Sequence, residues 1–227
     1  MLSVFRKFDR TRLIDSLKAM AKMVNIGDQF RRRRLCFIDI ETTGPIFGFH
    51  EIIDIAVIRL SPAGNQELVW QKLLKPKFPD RVSPEARKLN GFSVEAWAGA
   101  EEADPEIWSS FATIVKDSVA VCQNPSFDRA FISLAASKCG IDNLGLDYHW
   151  IGTESLAWPL YAFKLIPDLR LESICAYFKI PSESLPHNAL PGARTCLEVY
   201  RALMAFYSNS ESSLRHLKDD RQHVGSR

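Results

Sequence analysis

The chain has 227 residues, which suits one domain with extensions or two small domains, and its 46% hydrophobic and 25% charged composition is typical of a globular protein. No apolar run approaches the roughly 18 residues that cross a bilayer, so the sequence excludes a transmembrane helix. The five cysteines include no Cys-x-x-Cys pair. This argues against a zinc site or a disulfide framework and favours reduced core cysteines in a cytoplasmic protein.

Residues 1–34 form a basic N-terminal extension with ten Lys or Arg and three Asp or Glu, whereas the remainder of the chain has 19 basic and 24 acidic residues. Apolar residues at helical spacing predict a helix over 1–30, and the charges between them interrupt any signal-peptide core, so secretion is not expected. Three roles stay open for the extension. The Arg run at 31–34 can contact nucleic-acid backbone or an anionic membrane, or form a solvated basic turn, and the predicted helix over 1–30 can dock on a polymerase or another protein partner.

Strands come first in the rest of the chain, and strands that alternate with helices follow a Pro-rich stretch. This order predicts an α/β fold, a mixed sheet with an antiparallel meander and parallel strands flanked by helices, over 35–207. A loose polar tail is predicted at 208–227. The predicted strands are 35–41, 51–60, 67–74, 119–122 and 148–152, and the predicted helices are 84–89, 93–98, 110–116, 124–139, 153–161, 171–178 and a last helix that ends near 207.

Two acidic residues, Asp39 and Glu41, stand at the end of the first predicted strand. Because side chains alternate along a strand, both carboxylates point to the same face, and Ile40 points to the other. Two such neighbours repel each other unless a positive charge lies between them. A divalent cation such as Mg²⁺ or Mn²⁺ suits this position because hard ions prefer oxygen ligands. The alternative is a solvated strand end that carries two acids.

Asp128 and His187 extend the pattern. Asp128 opens a helix directly after a buried strand, where α/β folds place functional residues. His187 precedes the last helix. Taken alone, Asp128 can be an acid favoured by the helix dipole, and His187 can be a surface histidine. Because Asp128 and His187 follow the Asp39/Glu41 pair in this order, a catalytic site is the stronger interpretation.

These segments together resemble the DEDDh 3′→5′ exonucleases, the family of DNA-polymerase proofreading subunits with the ribonuclease H-like fold. The resemblance covers about residues 35–205. It is carried by five segments with the family's motifs: Phe37–Gly44, Glu51–Val57, Asn124–Asp128, Leu171–Cys175 and His187–Leu190.

The resemblance implies a cofactor and a role for each residue of the acidic site. Two divalent cations, Mg²⁺ or Mn²⁺, would clamp the scissile phosphate. By resemblance, Asp39 would bridge both ions, Glu41 would bind the ion on the nucleophile side, and Asp128 would support the second ion. His187 would be the general base, since an imidazole pKa near 6.5 suits that task at neutral pH.

The implied substrate is the 3′ end of single-stranded DNA, with RNA as the alternative. Thr42, Thr43 and Gly44 would lie against the terminal nucleotide, and glycine would allow a close approach of the backbone. Asn124 and Phe127 would neighbour the terminal bases, although Phe127 also suits a core position.

One position departs from the family pattern. The family has a fourth carboxylate five residues after the histidine, and this chain has Gly192 there, with no acid anywhere in 184–197. Two outcomes stay open. A water can replace the lost oxygen and leave a weaker, metal-demanding exonuclease. Alternatively, the chain is an inactive domain that binds nucleic-acid 3′ ends or a polymerase partner.

Overall fold

The computed structural model describes residues 32–224, with side chains up to Ser208. The helix predicted over 1–30, and with it nearly all of the basic extension, lies outside the described residues. The strands are β1 (Arg34–Thr42), β2 (Ile52–Leu60), β3 (Gln66–Lys75), β4 (Glu101–Glu102), β5 (Ser118–Cys122) and β6 (Ile151–Gly152). The helices are α1 (Pro84–Asn90), α2 (Pro105–Val115), α3 (Pro125–Lys138), α4 (Thr153–Ala162), α5 (Leu171–Phe178) and α6 (Ala189–Val224), and a 3₁₀ turn spans Pro79–Arg81.

The six strands form one mixed sheet in the order β4-β3-β2-β1-β5-β6. Strands β1, β2 and β3 are antiparallel neighbours, and β5 runs parallel to β1 and to β6. The predicted meander with added parallel strands is therefore confirmed. Strand β1 lies inside the sheet because its apolar residues are buried on both faces, as expected for a strand with helices on either side.

The two faces of β1 belong to different cores. Ile38 and Ile40 pack with α2 and α3, whereas Phe37 packs against the start of α6, where Ala189 and Ala193 lie. Since side chains alternate, Asp39 and the acid two residues further share the face of Phe37. The fold therefore directs both acids toward the first turns of α6.

The structure corrects several predicted boundaries. Helix α6 continues to Val224, so the loose tail predicted at 208–227 is wrong over 208–224. No glycine or proline interrupts the segment before Gly225, and its Leu, Glu, Lys and Arg residues favour helix. Helix α2 begins at Pro105 rather than at 110, because Asp104 caps it by accepting a hydrogen bond from the Ile107 N–H, at 3.0 Å.

Smaller differences concern the edges of the sheet. The predicted helix at 93–98 is a series of turns, and β6 has two residues instead of the five predicted at 148–152. The two-residue strand β4, which pairs with the end of β3, has no apolar pattern and was missed. Within 32–224, none of the helices is both long and apolar enough to cross a bilayer.

Candidate active site

The acidic pair of β1 faces the start of helix α6. Asp39 and Glu41 are half-buried, and both line a cleft of about 560 Å³ together with His187 and Gly192. Asp39 lies directly against Gly192: a Cβ at position 192 would overlap Asp39 Oδ2 and lie 2.8 Å from its Cγ. The carboxylate of Asp39 therefore occupies the space in which a side chain at position 192 would begin.

Asp128 joins this site from the next strand. Because β5 runs parallel to β1, the ends of both strands meet at one edge of the sheet, and α3 starts there. Asn124 caps α3 by accepting a hydrogen bond from the Ser126 N–H at 3.1 Å, and Pro125 stands in its first turn. Asp128 is buried within that turn, and its charge raises the pKa of Asp39. The parallel pairing therefore brings Asp128 to the same edge of the sheet as Asp39.

His187 is held at the same cleft through α1. Its backbone N–H donates to the carbonyl of Leu89 at 2.8 Å. The next residue, Asn90, is buried and donates from Nδ2 to the carbonyl of Thr42 at 3.0 Å. Helix α1 thus fastens the end of β1 and the histidine to each other. Asp39, Glu41 and His187 therefore line one cleft, and α3 brings Asp128 to the same edge of the sheet. Within the described residues, the His187 side chain makes no hydrogen bond or ion pair with an acid, and the catalytic roles of the four residues stay predictions.

Crowded carboxylates dominate the electrostatics of the site. Burial, followed by the charges of Glu183 and Asp54, raises the pKa of Glu41 to about 8. The pKa of Asp39 is raised well above its ordinary value by burial and then by Asp128, Glu41 and Glu183. Burial is also the main cause that raises the pKa of Asp128 to about 7. Such a site favours protons or cations, since ionised acids in close contact repel each other.

The donor chemistry of the cleft fits hard divalent cations. Its acids offer carboxylate oxygens, which Mg²⁺ and Mn²⁺ prefer. In the part of the chain that the structure describes, no three acids, histidines or cysteines are already arranged as a coordination shell. The Asp39 carboxylate lies against Gly192.

The three residues expected to touch the terminal nucleotide are buried and bonded internally. Thr42 Oγ1 donates to the carbonyl of Gly44 at 2.8 Å, and Thr43 Oγ1 accepts from the Glu51 N–H at 2.9 Å. Position 44 requires glycine because the His50 ring lies against it, and a Cβ there would be 2.5 Å from His50 Nε2. The close neighbour of Gly44 is thus this ring and not a nucleotide. These residues shape the turn after β1, and their contact with substrate stays a prediction.

The remaining two predicted residues have different surroundings. Asn124 is exposed and lines the cleft. Phe127 packs against Phe131, with ring centroids 4.7 Å apart, and joins the core beside α3. The core position weighed for Phe127 is therefore the observed one.

Sequence reasoning missed three acids near the site. Glu183 and Glu154 line the cleft, and Asp54 is buried in β2 opposite Glu41. Asp54 Oδ2 accepts from the Ala189 N–H at 2.9 Å, and Gln71 donates to both of its oxygens. Asp54 could have been recognised from the sequence, because it is an acid within an otherwise apolar strand. Glu154 and Glu183 gave no such signal, because only the tertiary fold brings them to the cleft.

Comparison with protein families and curated proteins gives consistent matches. The family model described as Exonuclease (RNase_T) matches residues 36–200. A DNA polymerase III PolC-type of Thermotoga petrophila is 23% identical over 190 residues, which are 83% of this chain and 13% of the relative. A PolC-type polymerase of Listeria welshimeri is 28% identical over 148 residues, 64% of this chain and 10% of the relative. The chain therefore spans only a small part of these polymerases.

Solved structures share the fold at low sequence identity. E. coli Exonuclease I in complex with a dT13 oligonucleotide has a TM-score of 0.65 and 15% identity, covering 80% of this chain and 43% of that chain. A 3′-exonuclease with 3′-end specific recognition of a histone mRNA stem-loop has a TM-score of 0.58 and 18% identity, covering 85% of this chain and 72% of that chain. The predicted ribonuclease H-like exonuclease fold is thereby confirmed.

Proposed function

Because the chain belongs to the DEDD family of 3′→5′ exonucleases, within the ribonuclease H-like superfamily, we propose that it is a metal-dependent 3′→5′ exonuclease of single-stranded DNA ends. One observation carries the proposal. Asp39 and Glu41 on β1, Asp128 at the start of α3 and His187 before α6 come from three separate parts of the chain. The proposal is supported by the cleft that Asp39, Glu41 and His187 line together and by the start of α3 at the same edge of the sheet. A fold that only reused the scaffold would have no reason to gather these side chains.

Each residue of the site has a defined task in this proposal. Two Mg²⁺ or Mn²⁺ ions, when bound, would supply Lewis-acid activation of the attacking water and of the leaving oxygen. Asp39, Glu41 and Asp128 would hold them, and Asp39 would be shared. His187 would accept a proton from the attacking water on its imidazole. The oxygen of that water forms the new bond to phosphorus, the bond from phosphorus to the 3′ oxygen breaks, and that oxygen leaves with a proton.

An exposed aromatic surface that follows the end of β1 supports a single-stranded substrate. Phe47, Phe49 and Phe78 remain 54%, 45% and 44% exposed. The guanidinium of Arg81 lies 3.8 Å from the ring centroid of Phe78 and 4.7 Å from that of Phe49. Stacking rings with an interleaved cation are how proteins bind unpaired bases and phosphates. The backbone bond from the Ser83 N–H to the Thr43 carbonyl, 2.8 Å, ties this surface to the end of β1.

The second candidate function is a domain that binds 3′ ends without cutting them. The specific observation in its favour is Gly192, which supplies no carboxylate, with the Asp39 side chain filling the space next to it. In this alternative the site would hold a nucleic-acid end or serve a polymerase partner. RNA is a further alternative substrate, since a 3′ end can be held without contacts that select the 2′ position.

A cleavage assay separates these functions. The full chain is incubated with single-stranded DNA labelled at the 5′ end or at the 3′ end, over a range of Mg²⁺ and Mn²⁺ concentrations. The exonuclease would give a ladder from the 5′ label and immediate release of the 3′ label, and Asp39→Asn would abolish both. Retained oligonucleotide binding with no cleavage at any metal concentration would select the binding domain. An RNA oligonucleotide of the same sequence tests substrate choice.

A further inference from the structure

Glu183 lies in the loop between α5 and α6, four residues before His187, and lines the same cleft as Asp39 and Glu41. It is half-buried, and its Oε1 accepts a hydrogen bond from the Asn188 N–H at 2.8 Å. This bond orients the carboxylate, as hydrogen bonds commonly orient metal-binding carboxylates. Glu183 is therefore a fixed part of the cleft rather than a freely moving surface acid.

The position of Glu183 follows from the first N–H groups of the segment that leads into α6. The N–H of Asn188 donates to Glu183, and the next N–H, that of Ala189, donates to Asp54 Oδ2 at 2.9 Å. Asp54 is the cross-strand partner of Glu41. Glu183 therefore lines the cleft on the side of Glu41, where an anionic neighbour is missing when position 192 is glycine.

Gly192 leaves room for such a replacement. The resemblance places an acid at that position on α6, and here the Asp39 carboxylate lies in the space beside Gly192. A cation held by Asp39 and Glu41 would then lack one oxygen ligand. An acid from the neighbouring loop can supply this oxygen, and a glutamate has three side-chain torsions with which to reach the cation.

We propose that Glu183 takes the place of the missing carboxylate at position 192 and binds the divalent cation shared with Asp39 and Glu41. This inference rests on the proposed function, since it concerns the cation site of the same cleft. It also gives the loop of Glu183 and His187 two tasks, because one segment then carries both a metal ligand and the general base.

The alternative interpretation is that Glu183 has a structural role only and caps the start of α6 through Asn188. The variant Glu183→Gln separates the two interpretations, because the amide oxygen of glutamine can still accept the bond from Asn188 but binds cations far more weakly than a carboxylate. Glu172→Gln is the matched control. Glu172 lines the cleft but is exposed and is not among the charges that act on Asp39, Glu41 or Asp128.

The test measures Mn²⁺ binding to the full chain without nucleic acid, by calorimetry and by the electron paramagnetic resonance signal of free Mn²⁺. We expect Glu183→Gln to weaken binding by about tenfold or more, with an unfolding temperature in EDTA no lower than that of the parent. Glu183→Asp, which keeps the charge but shortens the reach, should also weaken binding. Glu172→Gln should bind Mn²⁺ as the parent does.

Two different failures are distinguishable. If Glu183→Gln and Glu183→Asp bind Mn²⁺ within twofold of the parent while Asp39→Asn loses binding, the cation site stands and Glu183 is only a cap. If the parent itself binds no Mn²⁺, or if Asp39→Asn binds it unchanged, the cation site of the proposed function is wrong, and the role of Glu183 is overturned with it.

Discussion

Replacing Gly192 with aspartate restores the carboxylate of the family pattern and disrupts the contact between Asp39 and Gly192. A Cβ at this position overlaps Asp39 Oδ2, so the Asp39 side chain must rotate away from α6. The helix itself tolerates the change, since glycine is the poorer helix former by a few tenths of a kcal/mol. The main cost is electrostatic, because a further acid enters a cleft that already holds Asp39, Glu41 and Glu183.

The magnitude follows from Coulomb's law. Above about pH 8, where Glu41 is ionised, one ionised neighbour about 5 Å away costs roughly 3 kcal/mol at an effective dielectric constant of about 20. The helix dipole at the start of α6 stabilises the added carboxylate by about 0.5 kcal/mol. We therefore expect Gly192→Asp to destabilise the metal-free fold by about 2–3 kcal/mol, which lowers its unfolding temperature by about 4–12 °C in a domain of this size. A bound cation reverses the sign, because the same charge then becomes a ligand.

Thermal unfolding in EDTA and in saturating Mn²⁺ checks this prediction, with Gly192→Asn as the matched control. Asparagine imposes the same contact with Asp39 but adds no charge. We expect the Mn²⁺-induced rise in unfolding temperature to be larger for Gly192→Asp than for Gly192→Asn or the parent. The Mg²⁺ concentration for half-maximal cleavage should also fall, by about tenfold. Equal metal-induced shifts in the aspartate and asparagine variants would refute the lost-ligand reasoning.

Three further predictions concern pH, the aromatic surface and the basic extension. Burial raises the pKa of Asp128 from 3.8 to about 7. The free energy of unfolding of the metal-free protein should therefore fall by up to about 4 kcal/mol as the pH rises from about 4 to 7. Denaturant titrations should show a weaker pH dependence of this free energy in Asp128→Asn. Arg81→Ala should weaken binding of a single-stranded oligonucleotide by about 1–2 kcal/mol in fluorescence anisotropy, whereas Lys138→Ala, which removes one charge at the far end of α3, should not. Removing residues 1–34 should weaken binding and reduce its dependence on salt while metal affinity stays the same; an unchanged salt slope would exclude the extension from nucleic-acid contact.

The sequence predicted the acidic face of β1 well because strand alternation is a local rule. Apolar residues around Asp39 required a buried strand, and the spacing of the two acids then decided their common face. The start of α3 was similarly readable, since Asn124 and Pro125 are local signals for a helix N-terminus. The length of α6 is not predicted correctly, because the polar composition of 208–224 is typical of a tail whereas its helix propensity prevails.

The relation between Gly192 and Asp39 could not be predicted in the same way. The sequence shows that a carboxylate is missing, but it does not show that the side chain of Asp39 fills the space. Nor does it show that Glu183 reaches the cleft from a loop with no regular pattern. Both facts depend on how α6 crosses the sheet, and that crossing is decided by burial of Phe37, Ala189 and their neighbours rather than by any local preference.

The loss of one carboxylate leaves the scaffold of the site intact because the other residues are tied to the fold by bonds that do not involve a metal. His187 is fixed through Leu89, and Asp54 satisfies the first N–H of α6 at Ala189. These bonds would persist whether or not the chain cuts DNA. Stability of the fold therefore carries no information about activity. Mn²⁺ binding that depends on Asp39 would establish the cation site that catalysis requires, and cleavage then distinguishes an exonuclease from a domain that only holds a strand end, since a phosphate among these acids needs a cation in either case.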